Sequence, residues 1–424
     1  MNNLDFNIYI IFTISWFLHL GSRFPILGLI RFDLLLVCIL FFLAIKKQKY
    51  AHVDSKIQTD KLLQTDQLIR IIVIYSILTI PFVEWPGSVV RSGIEKLIKA
   101  IVFYYFTISF IDTETKLKKF ILIFISCQLF RILEPLYLNL TQGYWGDIAS
   151  MANWEYLNRL SGAPSDVVNP NGLAFIVCTV LPFLYYAAGL SWINRLAFMI
   201  FTPLCIYVLM LTGSRSGFLG LIVIFLTILI KSKKRVLLGV VGVLVVVIGF
   251  PLLDADMQDR YFSILGKGEK NLETAEGRSE GVIRDLTVAL RRPIFGHGLG
   301  TSREANANYG QRDQLSHNLY TEIAQELGFV GLIIFLFYIK SIFLVLAQCK
   351  RVYHNNNAGV FLSKMNDAMQ TWLWLNLIFS FASYGLTSYE WYLLGGFAVV
   401  MQRLVDRELV SKNEKIKPYF HRTT

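Results

Sequence analysis

A chain of 424 residues that is 54% hydrophobic, with a mean hydropathy of +0.50, reads as a polytopic α-helical membrane protein and not as a soluble one. Its net charge of +11 would suggest nucleic-acid binding in a soluble protein, but here the basic residues sit on alternate loops, so no nucleic-acid partner is expected.

Apolar blocks of roughly bilayer-crossing length recur along the chain. They cover residues 8–20, 26–45, 68–82, 89–111, 120–140, 172–188, 196–211, 218–230, 236–250, 327–347, 368–384 and 391–404. This predicts an all-α fold of about twelve transmembrane helices, organised as one integral membrane domain over residues 1–424 without an internal repeat. The first block lacks a small-residue cleavage site and runs almost directly into the second, so it is a first span and not a removed signal. Lys46, Lys47, Lys49, Lys56 and Lys61, then Lys116, Lys118 and Lys119, then Lys231, Lys233, Lys234 and Arg235, then Lys350 and Arg351, and the tail from Arg403 to Lys417 mark one side. The positive-inside rule makes that side cytoplasmic, with both termini inside. Cys38, Cys127, Cys178 and Cys205 fall within spans and Cys349 at the cytoplasmic edge, which suggests neither a disulfide framework nor a Cys-based metal site.

Three external segments follow in chain order. The first, 141–171, carries Trp145 and Trp154, read as interfacial anchors, then Arg159 and the run Gly162-Ala-Pro-Ser-Asp-Val-Val-Asn-Pro-Asn171. The second is the tight junction Gly213-Ser-Arg-Ser-Gly217, where a charged group is costly unless it has a partner or lines a cavity. Arg215 there either snorkels to headgroup phosphates or clamps an anionic substrate. The third, 251–326, is too long for an idle connection. Within it, 281–292 reads as a short helix on the spacing of Val282, Leu286 and Ala289 with Leu290. Pro293 ends that helix, and Gly296, Gly298 and Gly300 form a flexible turn that His297 serves.

Ser316 reads as the N-cap of the next helix. That places His317 in the first turn, where the helix dipole disfavours an imidazolium and a neutral ring can accept a proton. The alternative is a histidine bonded to a loop carbonyl. Glu322 and Glu326, one turn apart, either orient His317 or form a polar helix face. The outer basic residues are arginines at 159, 215, 260, 278, 284, 291, 292, 303 and 312, against only Lys267 and Lys270. Arginine's planar fork suits bidentate contact with phosphate oxygens. No Asp-x-Asp, no metal-ligand cluster, no phosphate-cradling Gly-rich loop and no nucleophile elbow is visible, so neither metal nor cofactor is expected.

Taken in order, Arg159-Leu-Ser-Gly-Ala-Pro with Asn169-Pro-Asn171, Gly213-Ser-Arg-Ser-Gly217, Gly277-Arg278 with Pro293-Ile-Phe-Gly-His-Gly-Leu-Gly300, and Ser316-His-Asn-Leu-Tyr-Thr-Glu-Ile-Ala-Gln-Glu-Leu-Gly328 resemble the O-antigen ligase and O-antigen polymerase superfamily of bacterial inner membranes. The likeness covers residues 159–347. It implies a GT-C-like, periplasm-facing, metal-independent glycosyltransferase that moves a glycan from undecaprenyl diphosphate to an acceptor hydroxyl with inversion. Carried onto this chain, Arg215 and Arg278 bind the leaving diphosphate, and His317 is the general base or positions the acceptor. Arg159, Arg291, Arg292, Asn318, Tyr320 and Glu326 become substrate contacts, and the loop 251–326 carries part of the active site. The acceptor is the lipid A core for a ligase, to which the single dominant loop leans, or a second lipid-linked glycan for a polymerase. A protein O-oligosaccharyltransferase and a non-catalytic glycolipid transporter are the remaining readings.

Overall fold

The computed structural model describes residues 3–51, 60–146, 159–166, 168–232, 234–249, 251, 258, 272–356, 359–383 and 385–416. The fold is helical throughout these residues. The main elements are α1 (Leu4–Leu18), α2 (Phe32–Ala51), α3 (Asp60–Leu78), α4 (Ile94–Phe110), α5 (Glu114–Gln142), α6 (Pro170–Ala187), α7 (Trp192–Thr212), α8 (Arg215–Lys231), α9 (Arg235–Gly249), α10 (Leu272–Ala289), α11 (Ser302–Tyr309), α12 (Leu319–Asn356), α13 (Val360–Phe379) and α14 (Tyr389–Ile416). Short helical turns fill 20–29 and 80–93.

Each of the twelve apolar stretches falls on one of these helices or on the turn beside it. Among the described residues, α5, α6, α7 and the Leu319–Tyr353 part of α12 are long and apolar enough to cross a membrane. The helices start where the sequence offers a cap: Thr113 before α5, Asn169 before α6, Ser191 before α7 and Ser214 before α8 each accept a hydrogen bond from an amide of the first turn. The loop 251–326 is described from residue 272 onward, where it forms α10, α11 and the chain leading into α12.

Packing joins α4 to α14, α3 to α12, α1 to α5, and α13 to α6, α8, α12 and α14. Aromatic side chains fill the seams. Tyr9 and Phe12 of α1 meet Phe103, Phe106 and Phe110 of α4 and Phe120 of α5 with ring centroids 5.0–6.1 Å apart. Trp372 of α13 is fully buried among Phe124, Phe183 and Phe397. The bundle thereby fixes one end, at which α5, α7 and α13 finish and α6, α8 and α12 begin. That end is called the upper end below.

Candidate active site

The two motifs flagged around residues 159–171 and 213–217 meet at the upper end. Gly213 leaves α7 with φ +55°, Ser214 caps α8, and Arg215 is the first helical residue, nearly buried at 8% exposure. The Ser214 Oγ accepts from the Gly217 amide at 3.2 Å and donates to Asn171 Oδ1 at 2.9 Å. The same Asn171 oxygen accepts from Arg159 Nη2 at 2.9 Å, while Arg159 Nε donates to the Thr212 carbonyl at 2.7 Å. Arg159 is buried and ties the last turn of α7 to Asn171 of α6, and a cation at that helix end also complements the dipole. It frames the α7–α8 turn, and with it Arg215.

The segment that carries Arg159 is anchored by a pair that sequence reading missed. Arg131, inside α5, makes a bidentate contact with Asp166: Nε to Oδ2 at 2.6 Å and Nη2 to Oδ1 at 3.0 Å. Both side chains are buried. Arg131 also donates to Gln128 Oε1, whose amide nitrogen reaches the Tyr389 hydroxyl at 2.8 Å. A buried pair of this kind is weak grounds for stability, but losing one partner strands the other charge. Trp145, expected as a membrane anchor, gives its carbonyl to the Ser161 amide. Trp154 lies outside the described residues.

The second half of the site is built around Asp285 of α10, which is 1% exposed. Its Oδ2 accepts from Ser316 Oγ at 2.7 Å and Thr321 Oγ1 at 3.3 Å, and its Oδ1 accepts from Asn306 Nδ2 at 3.1 Å. Asn306 in turn accepts from Gln325 Nε2 at 2.8 Å. One carboxylate thus ties α10 to α11 and to the start of α12.

Because Asp285 holds the Ser316 hydroxyl, Ser316 is not the cap. Asn318 is: its Oδ1 accepts from the Tyr320 amide at 2.9 Å and the Thr321 amide at 3.3 Å. His317 consequently sits one residue before the cap, outside the first turn, and the dipole argument for its neutrality loses its geometry. The ring is exposed, with Nε2 2.7 Å from the Gln314 amide nitrogen. Which of the two nitrogens donates follows the histidine tautomer and the orientation of the amide.

Asn318 and Tyr320 hold the His317 segment against the end of α13. Asn318 Nδ2 donates to Phe381 O at 3.3 Å, the Leu319 amide to Ser380 O at 2.9 Å, and the Tyr320 hydroxyl to Leu377 O at 2.9 Å. The upper end of α13 also packs on α6, where Phe379 meets Phe175 at 4.5 Å. The His317 segment is thus braced on the end of α13 directly, and the Arg215 turn through α6, whose Asn171 holds the Ser214 hydroxyl.

Glu322 and Glu326 are buried and serve different loops. Glu322 Oε2 accepts from the Gly385 and Leu386 amides at 2.8 and 3.3 Å. Glu326 accepts from the Gly300 amide at 2.8 Å and the Ser302 amide at 3.3 Å, which fixes the start of α11. Their reading as groups that orient His317 gives way to this anchoring.

Just beyond, Gly328 breaks α12 with φ +69°, ψ 179°. The carbonyls freed at the break, Gln325 and Glu326, accept from the His297 and Gly298 amides at 2.7 and 3.0 Å. Gly296 approaches so closely that an added Cβ would lie 2.4 Å from the Glu326 carbonyl, which is why this turn is written in glycine. His297 serves the turn as expected. It is 1% exposed, with Nδ1 3.0 Å from Glu84 Oε2 and Nε2 3.0 Å from Val288 O, and it stacks on Trp85 at 5.7 Å. Burial alone would push the Glu84 carboxyl up. Hydrogen bonds from Tyr309 and His297, with the charges of His297 and Arg292, reverse this and hold it below its ordinary range.

Of the remaining arginines, Arg291 lies over the Tyr309 ring at 4.7 Å, and Arg292 donates to Phe82 O at 2.8 Å and faces Glu84 at 3.5 Å. Arg278 falls on the second turn of α10, seven residues before Asp285 and so on the same helix face; its side chain lies outside those described. Among the described residues, no three His, Cys, Asp or Glu side chains gather as a metal site.

Residues 200–336 match the Wzy_C family model, described as O-Antigen ligase, and this stretch contains Arg215, Arg278 and His317. The chain is also similar to an O-antigen polymerase of Salmonella muenchen, with 24% identity over 292 residues that cover 66% of this chain and 67% of the relative.

Proposed function

We propose that this chain, a multi-pass membrane glycosyltransferase of the O-antigen ligase and polymerase type, transfers a glycan from undecaprenyl diphosphate to an acceptor hydroxyl at the periplasmic face of the inner membrane. The observation that carries the reading is the bracing of the exposed His317 segment on the end of α13 directly and of the Arg215 turn on the same end through α6. A neutral His317 takes the proton of the acceptor hydroxyl as that oxygen attacks the anomeric carbon from the face opposite the diphosphate. Attack from that face inverts the carbon. The departing diphosphate gathers charge, which Arg215 at the start of α8 and Arg278 on the inner face of α10 neutralise, aided by the α8 amides. No step in this scheme calls for a metal.

The same reading gives Arg291 and Arg292 to the donor's headgroup side. Arg159, Asn318, Tyr320 and Glu326 act through the frame, since their polar atoms are engaged by protein. The Lys-rich loops support a cytoplasmic side for both termini and an outer side for the site.

For the acceptor we favour a second lipid-linked glycan, hence chain extension, because the likeness to an O-antigen polymerase runs over two thirds of the chain. Ligation to the lipid A core is the second reading, favoured by the description of the family matching residues 200–336. Purified protein given lipid-linked repeat units alone should yield a ladder of longer glycans. A ladder that is absent, with transfer appearing only when lipid A core is added, replaces polymerase by ligase. No transfer with either acceptor overturns the enzyme reading.

A further inference from the structure

In a helix that covers a soluble core the apolar stripe turns inward. In α10 the arrangement is reversed. The inward face carries the Asp285 hub with Val288 and Ala289, while Ile283, Leu286 and Leu290 point away from the protein. Those three positions fall on one side of the helix at intervals of three, four and seven residues. The stripe does not stop at the end of α10. Ile294 and Phe295 follow it, and Phe295 stacks on Phe82 at 5.2 Å, so that six apolar side chains between 39 and 67% exposed form one surface.

That surface runs on into the exposed apolar side of α3. Phe82 ends the turn that follows α3, and on the last two turns of α3 Ile71, Ile74, Ile77 and Leu78 are exposed. Tyr75 of α3 donates to the carbonyls of Ile294 and Leu327, which locks the two surfaces edge to edge. Arg284 and Arg291 turn from the stripe toward the protein, Arg284 pairing with Asp285 Oδ1 at 3.3 Å and Arg291 lying over the Tyr309 ring, which leaves the stripe uninterrupted by charge.

We infer that α10 is an interfacial helix whose Ile283–Leu286–Leu290 stripe rests in the outer lipid leaflet, as a continuation of the lipid-facing side of α3. The occupant is the lipid surface itself. An aqueous loop with this much contiguous apolar exposure would be an aggregation liability. In the leaflet, the same residues set the height of α10, and hence of Asp285 and Arg278 on its opposite face. The inference rests on the membrane location of the protein and is independent of which sugar acceptor is used.

The test uses the full chain in phosphatidylethanolamine/phosphatidylglycerol nanodiscs, with Cys38→Ser removing the exposed native thiol. Nitroxide labels are placed one at a time by Ile283→Cys, Leu290→Cys, Ile74→Cys as the lipid reference and Asn308→Cys as the aqueous reference. Collision with oxygen and with a water-soluble nickel chelate is then compared by electron paramagnetic resonance. Labels at 283 and 290 should behave like the one at 74, favouring oxygen, at a depth of about 5 to 10 Å below the phosphates. Two results overturn the inference. Ready access of nickel at 283 and 290, as at 308, puts the stripe in water. Shielding from both reagents means that a second copy or another protein covers it. Neither readout depends on turnover, so failure here is distinct from failure of the transferase reading.

Discussion

Replacing Asp285 by alanine removes the acceptor that Ser316 Oγ and Asn306 Nδ2 share, and both donors are fully buried. Asn306 Nδ2 keeps the Gln314 carbonyl and Ser316 Oγ keeps the Asn318 carbonyl within reach, so what is lost is the net worth of two hydrogen bonds to a carboxylate, about 1 to 3 kcal/mol each, and the α10–α11–α12 junction weakens by roughly 2 to 6 kcal/mol. At about 1.4 kcal/mol per tenfold, the local opening of the segment bearing His317 should become about 30-fold more frequent, or more. Hydrogen exchange followed by mass spectrometry reads this directly. The amides of residues 318–321, now tied to Ser316, Ser380 and Asn318, should exchange faster by at least that factor, while amides in α5 and α6 keep their protection. Asp285→Asn supplies the contrast. It keeps one oxygen for Asn306, and the Ser316 and Thr321 hydroxyls can turn to accept from the new amide, so exchange should rise by no more than about tenfold. Unchanged exchange at 318–321 in Asp285→Ala would show that the hub does not hold His317.

Removing the imidazole by His317→Ala should lower transfer by roughly 100 to 10,000-fold with lipid-linked donor still bound; unaltered turnover removes the base assignment. His297→Ala should act differently, lowering the temperature of inactivation by removing the buried ring's contacts with Glu84, Val288 and Trp85 while donor binding in the folded protein survives; lost donor binding at full thermal stability would make His297 a site residue. Arg215→Lys and Arg278→Lys should each depress activity although charge is kept, because an ammonium cannot make a bidentate contact with the diphosphate; full activity in both would reduce them to sources of field. The carboxyl of Glu84 titrates lower folded than unfolded, so its stabilisation is complete above the ordinary glutamate range, near 4.3 or so, and drains away as pH falls through the lower folded value. Glu84→Gln should therefore flatten the acid limb of a thermal-inactivation profile, and an identical limb in both proteins counts against the Glu84–His297–Tyr309 contact as its source. A thiol introduced by Asn308→Cys should react with an impermeant reagent in intact spheroplasts, and one at Ser55 only after lysis; the reverse order inverts the topology.

Short-range signals in the chain were readable, and signals that depend on distant partners were not. The apolar blocks, the cap and turn residues at Asn169, Gly213 and Ser214, and the glycine turn around His297 all follow from neighbours in sequence. The cap of α12 did not. Serine and asparagine two residues apart are both good caps, and the choice is made by Asp285, which captures the Ser316 hydroxyl from 31 residues away. Arg131 and Asp166 looked unremarkable because each is half of a pair separated by 35 positions. Helix α10 was recognisable from the spacing of Val282, Leu286 and Ala289 with Leu290, but that spacing does not by itself require an apolar interior. A polar hub lies there instead. Glu326 and Arg159 carry the residue types of a substrate site; no sequence pattern names the partners they hold, the Gly300 and Ser302 amides for Glu326 and the Thr212 carbonyl with Asn171 Oδ1 for Arg159.

The break at Gly328 bears on how such chains can be recombined. Gln325, Glu326 and Glu322 belong to α12, but their carbonyls and carboxylates are the sockets into which residues 297–302 and 385–386 plug. Glu84, from a turn more than two hundred residues earlier in the chain, closes the assembly on the other side. The extramembrane segment is therefore not a cassette with its own boundaries. A hybrid that exchanges only residues 272–316 with a relative would bring plugs cut for foreign sockets. An exchange that keeps acceptor choice with its loop has to carry the 80–88 turn and the first nine residues of α12 along with it.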